Sequence, residues 1–328
     1  MSGLRHRGSR PTLDSGQGAA SACLQVPRLA LSRCLRRTVS EMPPVGPVPT
    51  TLVLTGATSG IGEAVARLLI PRVTRLIVHG PQHPGEMDRF LGRLRDLGHS
   101  EVHYVPANFD DLTAVGALAD RIAALTDRVD VLINNAGRPG PPTRQLSIDG
   151  NELTLQTNYL APVLLTERLT VLLRAAHGRV VHVSSATHLS ASLEPDDLNM
   201  EHTAYSSTVA YARSKLGLVA HARWLVDQAP SPRFDAVSVH PGVIRTALLH
   251  AMFDIGGAPA AQGARNVMQA ALSADAWDGQ YLAEDRSTPP NPAALDPDFR
   301  SRLMMQTFRL TRHVSADGRS SSAGLDGA

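Results

Sequence analysis

The chain has 328 residues, 43% of them hydrophobic and 19% charged, with a net charge of +2. An apolar fraction near the globular average, with no heptad or Gly-X-Y repeat, excludes collagen, a coiled coil and a wholly disordered chain; the length suits two ordinary domains or one large α/β unit with tails. The near-zero net charge makes no case for nucleic acid, and no apolar run approaches the roughly 18 to 20 residues that cross a bilayer.

Residues 1 to 47 carry Gly, Ser and Pro without periodicity, and seven arginines against Asp14 and Glu41. This composition predicts a disordered N-terminal extension; an organelle transit peptide is the other reading of an arginine-rich, acid-poor leader. Both cysteines, Cys23 and Cys34, fall here. The chain beyond residue 47 has no thiol for a disulfide or a thiolate zinc site, so no metal centre is expected and a reducing compartment, the cytoplasm, is the default.

In that longer part, short β-branched runs alternate with stretches of helical spacing. Strands are expected at 51 to 54, 76 to 78, 102 to 105, 129 to 133, 179 to 183 and 236 to 239, and helices at 61 to 70, 85 to 97, 112 to 125, 149 to 175 and 208 to 228. Gly98, Gly137 and Gly178 stand where elements should stop, and Pro71 closes the first helix. Apolar strands in strict alternation with helices imply an α/β fold, a single doubly wound parallel sheet flanked by helices over residues 48 to 312. A Ser-Gly-rich stretch, 313 to 328, is expected to be a disordered tail.

The first strand runs into Thr55-Gly56-Ala57-Thr58-Ser59-Gly60-Ile61-Gly62 and then into a helix. Glycines at such a turn let backbone N–H groups approach a pyrophosphate, and the positive end of the helix dipole favours its charge, so a dinucleotide is the natural guest. No Gly-Lys-Ser/Thr follows, which separates this loop from a Walker-type phosphate cradle. Cofactor choice should depend on the end of the second strand, where the chain reads Val78-His79-Gly80-Pro81-Gln82-His83. No carboxylate stands there to hold free ribose hydroxyls or repel a 2′-phosphate, which favours NADP(H); no arginine stands there to grip that phosphate either, so NAD(H) stays open. Gly80, Pro81 and Pro84 forbid the helix that would bring His79 and His83 together as metal ligands, leaving them as loop histidines.

Of 32 basic residues, 31 are arginine and one is lysine, Lys215. It lies four residues after Tyr211, on one face near the start of an expected helix. A nearby ammonium lowers the pKa of a phenol by stabilising phenolate, and its compact charge can donate to two ribose hydroxyls. A lone lysine at this spacing points to proton transfer beside a bound dinucleotide.

These residues resemble the short-chain dehydrogenase/reductase family. The motifs Thr55-Gly56-x-x-x-Gly60-x-Gly62, Asn134-Asn135-Ala136-Gly137, Ser185, Tyr211-x-x-x-Lys215 and Pro241-Gly242 occur in the family's order over about residues 50 to 285, with the loop spacing of its compact branch. The resemblance implies a Rossmann-type fold and a cofactor site formed by Gly56, Thr58, Ser59, Gly60, Ile61, Gly62, Asn135, Ala136, Gly137, Tyr211, Lys215, Ile244 and Thr246. Asn108 stands where many members have an Asp beside the adenine. It also implies that Ser185 bonds the substrate oxygen, Tyr211 exchanges the proton, Lys215 holds the nicotinamide ribose and Asn158 supports a proton-relay water. Ser184 is the rival to Ser185, because alternate residues on a strand face opposite sides.

Ser185 and Tyr211 are 26 positions apart, so residues 187 to 209 read as an added surface segment. That spacing is similar to the retinol dehydrogenase and protochlorophyllide reductase-like subgroup, as is the closing helix expected at 296 to 310, and it implies a lipophilic small-molecule carbonyl or alcohol. Leu248, Leu249, Met252, Phe253 and Ile255 form a lid or pack as helix residues. The helices at 149 to 175 and 208 to 228 resemble those that pair family subunits, which implies a homodimer or homotetramer. Arginine, alanine and proline usage suggests a GC-rich genome and a bacterial tailoring enzyme of secondary metabolism. A non-catalytic dinucleotide-binding regulator and a C=C reductase are the competing readings.

Overall fold

A computed structural model describes residues 51–228, 234–253 and 255–312. The expected disorder of 1–47 and 313–328 lies outside the described residues. Among the described residues eight strands form one sheet: β1 (Thr51–Leu54), β2 (Arg75–Gly80), β3 (Glu101–Pro106), β4 (Val131–Asn134), β5 (Arg179–Val183), β6 (Asp235–His240), β7 (Tyr281–Ala283) and β8 (Arg286–Ser287). Their order is β3-β2-β1-β4-β5-β6-β7-β8, all neighbours parallel except the antiparallel β7 and β8.

The chain therefore moves outward from β1 to β3 and then returns to β4 on the other side of β1. Ligands of doubly wound sheets bind at this reversal, beyond the carboxyl ends of the strands. Leu54 of β1 is in register with Val78 of β2 and Ile133 of β4, so the loops after all three strands emerge at one level. β1 and β4 are buried at every position, as a sheet covered on both faces requires.

The helices are α1 (Gly60–Leu69), α2 (Asp88–Arg95), α3 (Leu112–Leu125), α4 (Leu153–Leu155), α5 (Ala161–Arg168), α6 (Thr170–Ala176), α7 (Ser207–Gln228), α8 (Ala247–Met252), α9 (Ala260–Leu272) and α10 (Pro297–Thr311). α1 packs on α9, α3 on α5, and α10 on α7. α3 starts where expected because the Asp111 carboxylate accepts the N–H groups of Thr113 and Ala114. The helix expected at 149 to 175 is instead broken. Glu152 caps α4 through the N–H groups of Thr154 and Leu155, Gln156–Leu160 form a π-helical turn, and Leu169 interrupts the path before α6.

β7, β8 and α9 have no counterpart among the expected elements, and α8 carries Leu248, Leu249 and Met252, three of the five residues expected to form a lid or to pack as helix residues. The two strands are too short to show a period. α9 was hidden by small residues: its buried face includes Gly263, Ala264 and Ala271, and a Cβ on Gly263 would lie 2.8 Å from Ile244. A hydrophobic pattern search gives little weight to a face that packs closely because it lacks side chains.

Candidate active site

The glycine loop is shaped by contacts that leave no room for side chains. Gly56 and Gly60 have φ of +63° and +57°, in the left-handed region that glycine enters without steric cost. A Cβ on Gly56 would sit 2.7 Å from the Ala136 Cα, and one on Gly62 only 2.0 Å from the Gly56 carbonyl oxygen. Ser59 is the N-cap of α1 with no side-chain capping bond, and Thr58, Gly60 and Ile61 are half-buried at the same end of the sheet. Gly60 faces Thr246, whose Cγ2 would lie 3.4 Å from a Cβ there.

The end of β4 braces this loop. Thr55 Oγ1 accepts the N–H groups of Asn135 and Ala136, both at 3.0 Å, and the Asn135 amide donates to the carbonyls of Thr55 and Gly56, also at 3.0 Å. Asn134 points the other way, donating to Thr166 Oγ1 at 3.1 Å and tying the sheet to α5. Gly137 is exposed, and a Cβ there would lie 3.4 Å from Asn158 Oδ1 and 3.6 Å from Lys215 Nζ. Asn158 is wholly buried in the π-helical turn. Its amide accepts from the Arg138 N–H at 2.8 Å and donates to the Arg138 carbonyl at 3.0 Å, so it holds the segment after Gly137. Asn108 is exposed, its side chain turned onto the Asp110 N–H.

β5 and α7 bring the remaining residues together. The Ser185 side chain stands beside the Tyr211 hydroxyl, where it favours the ionised phenol, and its Oγ accepts the Thr187 N–H at 3.3 Å. Ser184, the rival, is buried and donates to the Lys215 carbonyl at 3.0 Å, which makes it a structural tie between β5 and α7. Lys215 Nζ donates to the Val183 carbonyl at 2.9 Å and lies 5.4 Å from the Tyr211 ring centre. Burial pushes the Tyr211 phenol up to about 12, against which the neighbouring Ser185 side chain pulls down. This differs from the expectation that Lys215 lowers it, because the ammonium is directed at a carbonyl rather than at the phenol oxygen. Burial also lowers Lys215 itself to about 8, since a charged ammonium loses its hydration there.

The family model for short chain dehydrogenases matches residues 50–254. The chain belongs to that family. It is 33% identical to mouse (Mus musculus) polyprenol dehydrogenase over 309 residues, 86% of this chain and 91% of that protein. It is 32% identical to human (Homo sapiens) retinol dehydrogenase 12 over 268 residues, 77% of this chain and 83% of the relative. Among solved structures, an uncharacterised protein from Mycobacterium paratuberculosis superposes with a TM-score of 0.65 at 28% identity, covering 81% of this chain and 96% of that one.

In this short-chain dehydrogenase the wall beside Ser185 is built from residues that the family motifs do not contain. The segment between Ser185 and α7 is ordered by side chains from far along the chain. Asn291 is 8% exposed, and its amide nitrogen donates to the carbonyls of His188, Leu189 and Ala191 at 3.0, 3.3 and 2.9 Å. His188 Nδ1 in turn donates to the Ser185 carbonyl at 2.7 Å, leaving Nε2 to accept the Asn291 N–H at 3.4 Å. Burial alone would raise the Asp197 carboxyl, but hydrogen bonds from Thr203 Oγ1 and the N–H groups of His202, Glu201 and Thr203 hold it down to about 2. Asn291 carried no local signal of its role.

Ile244 is buried and bridges Ala258, and Thr246 caps α8 by accepting the Leu249 N–H. Of the five apolar residues after Thr246, Leu249 is buried, Leu248, Met252 and Phe253 are half-buried and Ile255 is 38% exposed. His79 is not in a loop: it lies in β2 and is 2% exposed. The two strand-end histidines differ in this respect, since His83 caps the following turn by accepting the Gly85 N–H.

Proposed function

We propose that this chain is an NADP(H)-dependent oxidoreductase interconverting a carbonyl and an alcohol on a lipophilic small molecule. The observation that carries the reading is the convergence of Ser185, Tyr211 and Lys215 beside Gly137, whose missing side chain leaves open the space between Asn158 and the lysine. The loop fits a dinucleotide because Gly56 and Gly62 let it pack tightly against the end of β4 and the start of α1, which sets the α1 N-terminus at the strand-order reversal beside the exposed Gly137. Gly56, Gly60, Ile61 and Gly62 with the α1 N-terminus would hold the pyrophosphate, and Asn135, Ala136 and Gly137 the adenosine side and ribose. Lys215 would hold the nicotinamide ribose, and Ile244 and Thr246 would cover the carboxamide. When bound, the nicotinamide supplies or accepts a hydride.

The rest of the chemistry belongs to this chain. Tyr211, protonated at neutral pH because burial raises its pKa, donates its proton to the oxygen formed on reduction and removes it on oxidation. Ser185 holds the same substrate oxygen. Lys215 keeps most of its positive charge at pH 7, the form in which its ammonium can donate to the ribose hydroxyls. Absence of a carboxylate between His79 and His83 supports NADP(H) over NAD(H). Leu189, Val209, Val243 and Ile255, all more than a third exposed, come from the segments after Ser185, before Tyr211 and on either side of α8, and support a lipophilic substrate.

The test is carbonyl-dependent NADPH oxidation. Tyr211→Phe should lower it by about 10³-fold while dinucleotide binding is retained. An unmodified protein that binds the dinucleotide but turns over no aldehyde, ketone or alcohol with either NADPH or NADH would make it a binding regulator instead. Saturated products from enones would make it a C=C reductase.

A further inference from the structure

Two successive N–H groups of the glycine loop are held by one residue of the neighbouring strand. The His79 carbonyl accepts the Ala57 N–H at 2.9 Å, and His79 Nδ1 accepts the Gly56 N–H at 3.3 Å. On the opposite side of the ring, Nε2 lies 3.0 Å from the Ala107 carbonyl oxygen at the end of β3. A backbone N–H can only donate and a carbonyl only accept, so this geometry dictates the tautomer: Nε2 carries the hydrogen and Nδ1 is bare. Phe109 stacks on the ring with centroids 4.4 Å apart and planes 17° from parallel, which fixes its rotation. Burial keeps the imidazole neutral, lowering its pKa to about 4. The adjoining residue, Gly80, completes the seat: a Cβ there would lie 2.5 Å from Thr58 Cγ2, so the loop rests directly on the end of β2.

Gly56 is thereby pinned from both sides, by Ala136 across the β4 edge and by the His79 ring across the β2 edge. Its φ of +63° is a conformation that glycine, alone in solution, leaves as readily as it enters. We propose that His79 is a positioning residue for the dinucleotide, holding the glycine loop in its binding conformation through the bond from Gly56 N–H to Nδ1. The assignment rests on the reading of this loop as a dinucleotide site. It makes His79 a determinant of cofactor affinity and leaves turnover at saturating cofactor to Tyr211, Ser185 and Lys215.

Two substitutions divide the ring's functions. In His79→Asn the amide oxygen stands at the distance of Nδ1 from the backbone and can accept the Gly56 N–H, while the reach to Ala107 is lost. In His79→Gln the amide nitrogen stands at the distance of Nε2 and can donate to the Ala107 carbonyl, while the acceptor at Gly56 is lost. Dissociation constants for NADPH and NADH, measured by fluorescence titration, are compared with melting temperatures taken without cofactor. The glutamine variant should bind about tenfold more weakly and the asparagine variant within about twofold of the unmodified protein, the loss of one hydrogen bond's worth of affinity. Equal weakening in both variants, weakening that follows the melting temperature, or unchanged binding by the glutamine variant would overturn the assignment. An unmodified protein that binds neither dinucleotide overturns the cofactor reading, and this assignment with it. Should the variants not fold, ¹⁵N-histidine spectra of the unmodified protein decide: an Nε2–H tautomer whose Nδ1 resonance moves on NADPH addition supports the role, and an Nδ1–H tautomer ends it.

Discussion

The two sides of the site are held in different ways. The floor, from Thr55 to Gly62 with Asn135 to Gly137, is shaped by backbone: glycines that lack a Cβ, and bonds between loop ends that the parallel register already brings together. The wall, from Ser185 to the start of α7, is held by side chains that arrive from elsewhere. Asn291 reaches back over 100 residues to three carbonyls, and Arg302 of α10 pairs with Glu194 and Asp196. The floor can therefore change little without losing its shape. The wall can vary in length and sequence as long as its few ties are replaced, which suits the side of a site that meets the substrate.

Gly62→Ala tests the floor most severely, because its Cβ would fall 2.0 Å from a backbone oxygen that cannot move away as a side chain can. Dinucleotide binding should weaken by at least about 100-fold, about 2.7 kcal/mol, in a titration with NADPH. Retained affinity would mean that the floor is as pliable as the wall.

Asn291→Ala is the corresponding test of the wall. It leaves the carbonyls of His188, Leu189 and Ala191 without their common donor, and stability should drop by about 2 to 3 kcal/mol in urea unfolding. Turnover should fall with it, since the same segment carries Ser185, while the dissociation constant for NADPH stays unchanged. A loss of cofactor affinity as large as the loss of turnover would show that the two sides are not separately held.

Lys215 stands between the two sides, and pH reports on it. Because the folded protein binds this proton less tightly than the unfolded chain, with a pKa lowered from 10.5 to about 8, Lys215 opposes folding at neutral pH and this cost fades as pH rises from about 8 towards 10. Reductive turnover should move in the opposite direction, declining above pH 8 as the ammonium that would hold the nicotinamide ribose loses its charge. Lys215→Met should abolish both trends: stability measured without cofactor should no longer rise over this window relative to the unmodified protein, and activity should be absent throughout.

The smallest effect expected is a gain. Gly92 lies in the interior of α2, and a Cβ there would meet nothing within 4 Å, so Gly92→Ala should stabilise the protein by about 1 kcal/mol without altering cofactor binding. Set against Gly62→Ala, it separates a glycine that shapes the site from one that merely loosens a helix.

The alternation of strands and helices, the glycine loop and the pairing of Tyr211 with the chain's lone lysine were legible in the sequence alone, because each is a local pattern of spacing or composition. The strands at 51 to 54 and 179 to 183 and the helix at 112 to 125 match their expected limits, being bounded by an apolar run or by a capping carboxylate a few residues away. Tertiary structure decided that Ser184 faces α7 and Ser185 faces Tyr211, that Asn158 grips the Arg138 backbone, that His79 is a buried strand residue, and that Asn291 organises the segment after Ser185. Each of these depends on which strand ends and loops meet across the sheet. A side chain's partners at such a distance follow from the closed fold, and no periodicity within the segment itself encodes them.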